Sequence, residues 1–303
     1  MTTLQMHSAA AARVSVRPAV PADRERISNL MFFETHVHRH LDWRAPLDWL
    51  GRSPYWVLED GAHIAAALAC PMDPDSIAWI RLYAFASQIS GRAAWHRLWE
   101  AARQDLAEAG GATAAAIAAQ AWIAPILIEA GFELVDDIVV LAWDPGPQPP
   151  GAVPPGVAIR AMSSLDLPAV AEVDAEAFDR LWCNSLEGLT RALAQASYAS
   201  VAEDGSGLLG YQLSTGSPLG THLARLAVRP AAQRRGLGAA LVGDLIVHLP
   251  ASSEPRLTVN TQSRNATSLA LYDRLGFRIT GEHYPVYTLR IQSPGGAADQ
   301  QGR

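Results

Sequence analysis

The feature that most restricts the fold of this chain is an internal repeat with a spacing of 145 residues. Gln88 in QISGRA precedes Gln233 in QRRGLG by this spacing, and Gly131 in AGF precedes Gly276 in LGF by the same spacing. A loose pattern such as QxxGxA recurs by chance, whereas two independent landmarks rarely share one register. The chain is therefore predicted to contain two tandem domains of one fold.

A segment rich in proline and glycine separates the two copies. Residues 144–156 read DPGPQPPGAVPPG, a composition that excludes a helix or a central strand. We therefore predict a first domain over 13–143, a linker over 144–156, a second domain over 157–291 and a disordered tail over 292–303. A length of 303 residues suits two domains.

Composition excludes several classes of protein. Hydrophobic residues make up 49% of the chain, which indicates a folded core, and the net charge of -6 argues against nucleic acid as a partner. Cys70 and Cys183 have no CxxC partner, so neither a metal site nor a disulfide framework is expected. With no membrane-length apolar run and no signal peptide, we expect a cytoplasmic protein, either a monomer or a homodimer.

The second half mixes strand and helix patterns. THLARLAV at 221–228 reads as a strand, and GLGAALVGDLIVHL carries apolar residues at helical spacing. ATSLALYDRL reads as a helix whose C-terminal left-handed position suits Gly276. These patterns predict an α/β (α+β) domain with a mixed sheet.

Two glycines precede the helix that follows strand 221–228. A helix N-terminus offers free N–H groups to a phosphate, and Gly236 and Gly238 remove the side chains that would block its approach. Arg234 and Arg235 supply positive charge. A dinucleotide fingerprint would need glycine where Leu241 stands, and the Gly-Lys-Ser/Thr of a Walker loop is absent.

An ordered set of motifs resembles the GCN5-related N-acetyltransferase (GNAT) family. The set runs from Leu226-Ala-Val and Pro230 through QRRGLG at 233–238 to Asn265 and Tyr272. The tandem layout is similar to that of bacterial tandem acetyltransferases, mycothiol synthase among them. The resemblance implies two tandem acyl-CoA N-acyltransferase domains, each a mixed, splayed sheet flanked by helices, and acetyl-CoA as the cofactor.

The resemblance also implies which residues contact the cofactor. Two strands splay apart in this family, and the pantetheine arm lies between them. The implied contacts are Leu226, Ala227 and Val228 for the pantetheine, Gln233, Arg234, Arg235, Gly236, Leu237, Gly238 and Ala239 for the pyrophosphate, and Asn265 beside the second strand.

Tyr272 is placed by family analogy to protonate the leaving thiolate. The alternative is a purely structural role for Tyr272, as a half-buried helix residue that packs on the sheet. A base is also needed, because a lysine-like amine is only roughly 0.1% neutral at pH 7. His222 is the leading candidate, since strand alternation puts 222, 224 and 226 on one face. A packing or surface role remains open for His222, and Glu203 and His283 are weaker candidates.

The acceptor pocket of such a fold is lined by its first helices and last hairpin. We therefore expect aromatic side chains to form one wall of this pocket and one carboxylate to bind a cationic group. The alternative is that the aromatic residues belong to the ordinary apolar core. The nominated residues are Phe178, Asp179, Trp182, Tyr284 and Tyr287.

The first half lacks the equivalent chemistry. Asn265 corresponds to Gln120 and Tyr272 to Leu127, and leucine cannot donate a proton. We therefore predict a catalytically dead half that is structural or shapes the pocket, although its loop at 88–93 could still take a pyrophosphate. The alternating histidines 36, 38 and 40 could form a metal site. We instead expect this segment to be a solvated polar segment or a loop at the substrate entrance.

The leading functional hypothesis is acetyl transfer from acetyl-CoA to a primary amine of a small molecule. Acetylation of a protein N-terminus or lysine is one rival. A non-catalytic acyl-CoA-binding sensor or scaffold is the other.

Overall fold

The computed structural model describes residues 14–144, 151–249 and 256–294. Positions 145–150 of the predicted linker and 295–303 of the predicted tail lie outside the described residues. Within the described residues no helix is both long enough and apolar enough to cross a bilayer.

The first half alternates strands and helices. Its elements are β1 (Ser15–Pro18), α1 (Arg24–Phe33), β2 (His36–Arg39), β3 (Tyr55–Asp60), β4 (His63–Ala69), β5 (Ile77–Trp79), β6 (Leu82–Phe85), α2 (Gly91–Glu108), β7 (Ala112–Ile117), α3 (Ile123–Glu129) and β8 (Glu133–Trp143).

The second half repeats this order with two differences. Its elements are β9 (Ala158–Ala161), α4 (Leu167–Ala177), α5 (Leu186–Gln195), β10 (Tyr198–Asp204), β11 (Gly207–Ser217), β12 (Gly220–Val228), α6 (Leu237–Val247), β13 (Leu257–Gln262), α7 (Ala266–Arg274) and β14 (Phe277–Ile291). Helix α5 takes the place of β2, and one strand, β12, takes the place of β5 and β6. Sequence patterns predicted strand β12 and helices α6 and α7, whereas the predicted last hairpin is instead part of the single strand β14.

Local sequence explains the helices that flank the site. Helix α6 buries Leu237, Leu241 and Leu245, because its apolar stripe packs on the sheet. Asn265 caps the start of α7, and its Oδ1 accepts a hydrogen bond from the Ser268 N–H at 3.0 Å. Gly276 follows α7 with a φ of 89°, which confirms the predicted left-handed position.

The strands form two sheets, and the larger sheet contains strands from both halves. The smaller sheet has the order β1-β3-β4-β6-β2, and the larger has the order β5-β7-β14-β8-β13-β12-β11-β10-β9. The mixed α/β fold is therefore confirmed.

The two halves exchange their last strands. Strand β8 of the first half pairs with β13 of the second, with Ala142 opposite Thr258. Strand β14 of the second half pairs with β7 of the first, with Val286 opposite Ile117. The predicted boundary after residue 143 remains a prediction about chain segments, since the hydrogen-bonded sheet continues across it.

Candidate active site

Strands β12 and β13 form a wedge. They pair in parallel from Thr221 opposite Leu257 to Leu223 opposite Val259, and no later residue of β12 pairs with β13. Residues 224–228 therefore leave an open edge toward β13, in the position where the sequence predicts the pantetheine arm.

A β-bulge interrupts β12 at the start of this open edge. Arg225 lies opposite Leu213 and Leu223 opposite Ser214, so Ala224 has no partner on β11. Leu223 and Leu226 consequently share one apolar cluster, whereas Arg225 bonds to α4 on the other side. The expected alternation of 222, 224 and 226 on one face is wrong, because the extra residue reverses it.

The register beyond the bulge turns two peptide groups into the wedge. The Arg229 N–H donates to the Leu209 carbonyl at 2.8 Å, which fixes the phase of the β11–β12 ladder. Bonded residues alternate along an antiparallel pair, so Ala227 faces β11 while Leu226 and Val228 face the open edge. The Val228 carbonyl accepts a hydrogen bond from Gln233 Nε2 at 3.1 Å there.

The loop before α6 presents unused backbone donors. Within the described residues, no oxygen accepts a hydrogen bond from the N–H groups of residues 234–239. Such donors at a helix N-terminus attract an anion through both hydrogen bonding and the helix dipole. The side chains of Arg234 and Arg235 are exposed beside them, and Arg235 lies 3.8 Å from Asp204.

The two glycines of this loop serve different purposes. Gly236 has a φ of 86° and caps the helix, and a Cβ there would meet only Pro154 at 4.0 Å. Position 236 is therefore left open for a ligand. A Cβ on Gly238 would lie 3.1 Å from Leu271, so this glycine permits α6 to pack on α7. The linker passes nearby, with Gly151 against Ala239.

Tyr272 lies on α7 at the inner end of the wedge. Its side chain is only 4% exposed, and its hydroxyl has no hydrogen-bond partner among the described residues. Burial raises the pKa of Tyr272 above its ordinary value, so the hydroxyl stays protonated at neutral pH. Asn265 lines the same cavity while capping α7.

His222 lines the cavity, and the other two candidate bases do not. The His222 Nδ1 lies 2.8 Å from Thr258 Oγ1, and burial lowers the pKa of the imidazole below its ordinary value. His222 is therefore neutral at pH 7 and able to accept a proton. Glu203 pairs with Arg160 and His283 with Asp137, both away from the cavity.

A cavity of about 410 Å³ joins the wedge to the first half of the chain. Its second-half lining includes His222, Leu226, Asn265 and Tyr272. Its first-half lining consists of His40, Leu41, Asp42, Trp43, Asp73, Trp79, Arg81, Ile117 and Ile138.

An ion pair that sequence reasoning missed holds the loop between α4 and α5. Arg225 donates two hydrogen bonds of 2.8 Å to Asp174, which is fully buried and also accepts from the Tyr211 hydroxyl. Arg225 donates a third bond to the Trp182 carbonyl at 2.7 Å. The available signal was Arg225, which lies in a strand that has no other Lys, Arg, Asp or Glu.

The structure brings only part of the predicted acceptor wall to the cavity. Phe178 and Trp182 line it, and the guanidinium of Arg225 lies 3.6 Å from the Phe178 ring centroid. Tyr284 packs near Trp182 but does not line the cavity.

Two nominated residues lie elsewhere. Asp179 is exposed, accepts hydrogen bonds from the N–H groups of Leu181 and Trp182, and does not line the cavity. Tyr287 is buried in the apolar core of the first half. The sequence could not indicate this position for Tyr287, because β14 pairs with β7 only through the strand exchange.

A family model for the Acetyltransferase (GNAT) domain matches residues 166–291, the segment that contains the wedge, the loop and α7. The second half of the chain is a GNAT acetyltransferase domain. GNAT domains use acetyl-CoA, and the chain is therefore an acyltransferase with acetyl-CoA as its acyl donor.

A curated relative matches part of the chain. The [ribosomal protein bS18]-alanine N-acetyltransferase of Escherichia coli (strain K12) is 28% identical over 141 residues, which cover 42% of this chain and 86% of the relative.

Solved structures of similar fold match both halves. A GCN5-related N-acetyltransferase from Sphaerobacter thermophilus gives a TM-score of 0.59 at 19% identity, covering 92% of this chain and 96% of that chain. A tandem GNAT protein from the clavulanic acid biosynthesis pathway gives a TM-score of 0.60 at 16% identity, covering 92% of this chain and 99% of that chain. A probable N-acyltransferase from Enterococcus faecalis V583 gives a TM-score of 0.70 at 11% identity, covering 92% of this chain and 72% of that chain. These likenesses confirm the tandem GNAT fold.

The equivalent wedge in the first half contains a strand of the chain itself. The strand that corresponds to β12 is divided, with β5 paired to β7 in the larger sheet and β6 paired to β4 in the smaller sheet. Strand β2 pairs with the other edge of β6, with His38 opposite Tyr83. The edge that is open in the second half is thus occupied here, and Leu127 is fully buried where the second half has Tyr272.

The three alternating histidines belong to this inserted segment. His36 stacks on Phe85 with ring centroids 4.6 Å apart, and His38 is fully buried with its Nε2 3.1 Å from the Ile80 carbonyl oxygen. The expected solvated segment is therefore wrong for His38, because β2 pairs along β6 and the His38 side chain is fully buried. Among the described residues, no three His, Cys, Asp or Glu side chains group as metal ligands.

Proposed function

We propose that this GNAT protein transfers the acetyl group of acetyl-CoA to the primary amine of a small molecule, by direct attack with Tyr272 as general acid. One observation carries the proposal. The free N–H groups at 234–239, the open edge of β12 and the cavity with Tyr272 and His222 lie in sequence along one path.

The residues of the path fit acetyl-CoA group by group. The N–H groups of the loop match the charge of a pyrophosphate, and the peptide groups of Leu226 and Val228 match the amides of a pantetheine arm. A main-chain N–H at this edge is also placed to stabilise negative charge on a carbonyl oxygen. When bound, acetyl-CoA supplies the thioester that the amine attacks.

Two side chains handle protons at the inner end of the path. The neutral imidazole of His222 takes the proton of the incoming ammonium, directly or through water. Tyr272 donates to the sulfur as the thiolate leaves. The ordinary pKa is about 10 for tyrosine and about 8.5 for a thiol, so full proton transfer from the tyrosine to the thiolate is uphill by about 2 kcal/mol. Burial of Tyr272 adds to this cost. Strong hydrogen-bond donation by the protonated hydroxyl is therefore its main contribution.

The size of the cavity, about 410 Å³, supports a small acceptor. Residues 40–43, 73, 79 and 81 of the first half line it together with residues of the second half. We also infer a cytoplasmic location, which the free thiols of Cys70 and Cys183 support. A monomer or a homodimer is expected.

Release of free thiol from acetyl-CoA, measured over a panel of primary amines, tests the proposal. We expect release that depends on the amine and is saturable in both substrates. If acetyl-CoA binds tightly and no amine or peptide causes release, the chain is an acyl-CoA-binding sensor and the proposal fails.

A protein N-terminus is the second candidate acceptor, because the curated relative carries the name of a ribosomal protein alanine N-acetyltransferase. Peptides that begin with alanine belong in the same thiol-release assay. A kcat/KM for such peptides far above that of every small amine would favour this second candidate.

A further inference from the structure

Residues 42–44 of the first half meet helix α5 of the second half beside the cavity. Asp42 and Trp43 line the cavity from the first half, and Ser185 and Gly188 line it where α5 begins. The two segments form an inter-half contact and supply parts of the same cavity wall. A change in their spacing therefore changes the shape of the cavity.

Two polar contacts join these segments, one at each end of α5. Arg44 forms an ion pair with Glu187 in the first turn of the helix. Gln195, the last residue of α5, donates from Nε2 to the Trp43 carbonyl oxygen at 2.5 Å. Because the contacts lie at opposite ends of a helix about 15 Å long, they fix both the position and the direction of α5.

The position of Arg44 is fixed by its own half of the chain. The Arg44 side chain is buried, and its guanidinium carbon lies 4.1 Å from the centroid of the Trp49 ring. A guanidinium over an indole face is attracted by the ring. The Trp49 Nε1–H donates to Asp42 Oδ2 at 3.2 Å, and Arg81 donates to the same oxygen at 2.8 Å. Trp49 thus supports both the arginine of the ion pair and a carboxylate of the cavity wall.

Glu187 is the carboxylate that compensates the buried charge of Arg44. Among the described residues, the Nε and Nη1 groups of Arg44 donate no hydrogen bond, whereas Nη2 bonds to Glu187. Arg52 donates to the other carboxylate oxygen of Glu187 at 2.8 Å. Loss of Glu187 would leave a buried charge unpaired, which costs far more than loss of an exposed pair.

We propose that Arg44 and Glu187 are positioning residues for the acceptor, whose ion pair holds α5 against residues 42–44 at the spacing that acceptor binding requires. Neither residue lines the cavity, so both act through the wall residues beside them. The inference rests on the proposed acetyl transfer to a small amine. It gives the first half, which we predict to be catalytically silent, a direct influence on the KM of the acceptor.

The path of the cofactor should not respond to this contact. Helix α5 packs on α4 and β11, whereas the unused N–H groups at 234–239 lie at the start of α6 and Tyr272 lies on α7. The open edge of β12 faces β13 instead. A loosened α5 is therefore expected to weaken acceptor binding, while kcat and the affinity for acetyl-CoA stay the same.

Steady-state thiol release with glucosamine, phenethylamine and putrescine tests the inference, because these primary amines differ in polarity, aromaticity and charge. Glu187→Gln should raise the KM of each accepted amine by about tenfold, without a change in kcat or in the affinity for acetyl-CoA. Glu172→Gln makes the same chemical change on α4, in an exposed pair with Arg229, and should keep the wild-type KM.

A double-mutant cycle separates the ion pair from general destabilisation. Arg44→Met alone should raise KM as much as Glu187→Gln, and the double variant should raise it no further, because both changes break the same pair. Arg52→Lys keeps the charge beside Glu187 and should have the wild-type KM. Arg52→Gln should raise KM by only about threefold, because the Arg52 side chain is 46% exposed.

Hydrogen–deuterium exchange gives a readout that does not depend on turnover. In Glu187→Gln, peptides that cover 40–44 and 186–195 should exchange faster than in wild type, and peptides of α6 and α7 should exchange as in wild type. Faster exchange over the whole chain would show a general loss of stability and would overturn the inference.

The outcomes separate this inference from the function on which it rests. An unchanged acceptor KM in Glu187→Gln, or effects that multiply in the double variant, overturns the inference and leaves the proposed function standing. Absence of thiol release with every primary amine overturns the proposed function and the inference with it.

Discussion

The ring of Phe85 covers Gly91 so closely that a Cβ at position 91 would lie 2.3 Å from Phe85 Cζ. Gly91 begins α2, at the place where Gly236 precedes α6 in the second half. A phosphate cannot approach a helix start that an aromatic ring covers. Gly91, in the loop before α2, therefore allows Phe85 to pack against the start of the helix. Gly236, in the loop before α6, has open space around it.

Coenzyme A is accordingly expected to bind one site per chain, at the second loop. Gly236→Asp should weaken binding at least about tenfold, because φ is positive there and the carboxylate repels phosphate. Isothermal titration calorimetry measures both stoichiometry and affinity. Gly205→Asp, in an exposed turn, is the matched control. Two sites per chain, or full affinity in Gly236→Asp, would contradict this assignment.

Tyr272→Phe should lower kcat by about 10²–10³ while leaving the affinity for acetyl-CoA unchanged, because it removes only the hydroxyl that faces the cavity. Thiol-release kinetics give kcat, and calorimetry gives the affinity. Tyr284→Phe removes a hydroxyl that bonds to Glu282 outside the cavity and should behave as wild type. An unchanged kcat in Tyr272→Phe would exclude the acid role.

Asp174→Asn should lower the free energy of unfolding by about 3–5 kcal/mol, because the guanidinium of Arg225 loses its carboxylate while remaining buried. Urea denaturation measures the change. Glu172→Gln removes a carboxylate that pairs with Arg229 and is 68% exposed, so its expected effect is below about 1 kcal/mol. Equal effects of the two substitutions would show that burial of the Asp174 pair is unimportant.

Acid should destabilise the fold partly through His38. Burial lowers the pKa of His38 to about 4, whereas the unfolded imidazole titrates near 6.5. The unfolded chain therefore binds the proton first as pH falls, and stability is lost between about 6.5 and about 4, by up to about 3 kcal/mol.

His38→Gln should remove this part of the pH dependence, seen as a smaller difference between unfolding free energies at about pH 7 and about pH 4.5. His40 acts in the same direction, so a residual dependence is expected. The exposed His63→Gln is the control and should keep the wild-type difference. An undiminished difference in His38→Gln would rule His38 out as the titrating group.

Short-range patterns predicted the second half well. Apolar spacing gave α6 and α7, and the shared register of Gly131 and Gly276 gave the tandem layout, because these signals depend only on neighbouring residues or on the repeat. The bulge at Ala224 was invisible to such patterns, since an extra residue in a strand has no sequence mark. The face of His222 was misjudged for this reason.

Long-range pairing explains the remaining differences. Tyr287 reads as a strand residue of the second half, and nothing near it indicates that its partners are on β7. His38 reads as polar, and its burial depends on β2 pairing with β6. The acceptor cavity was likewise only half predicted, because its other wall comes from residues 40–81 of the opposite half.

The crossing of β8 and β14 makes the two halves mutually dependent. Cutting out the first half would strip β13 of one neighbour and β14 of both, leaving long unpaired edges prone to aggregation. The first half, which we predict to be catalytically silent, is therefore expected to remain necessary for the folding of the second. Substitutions in the first half should be tolerated best where they do not contact that shared sheet.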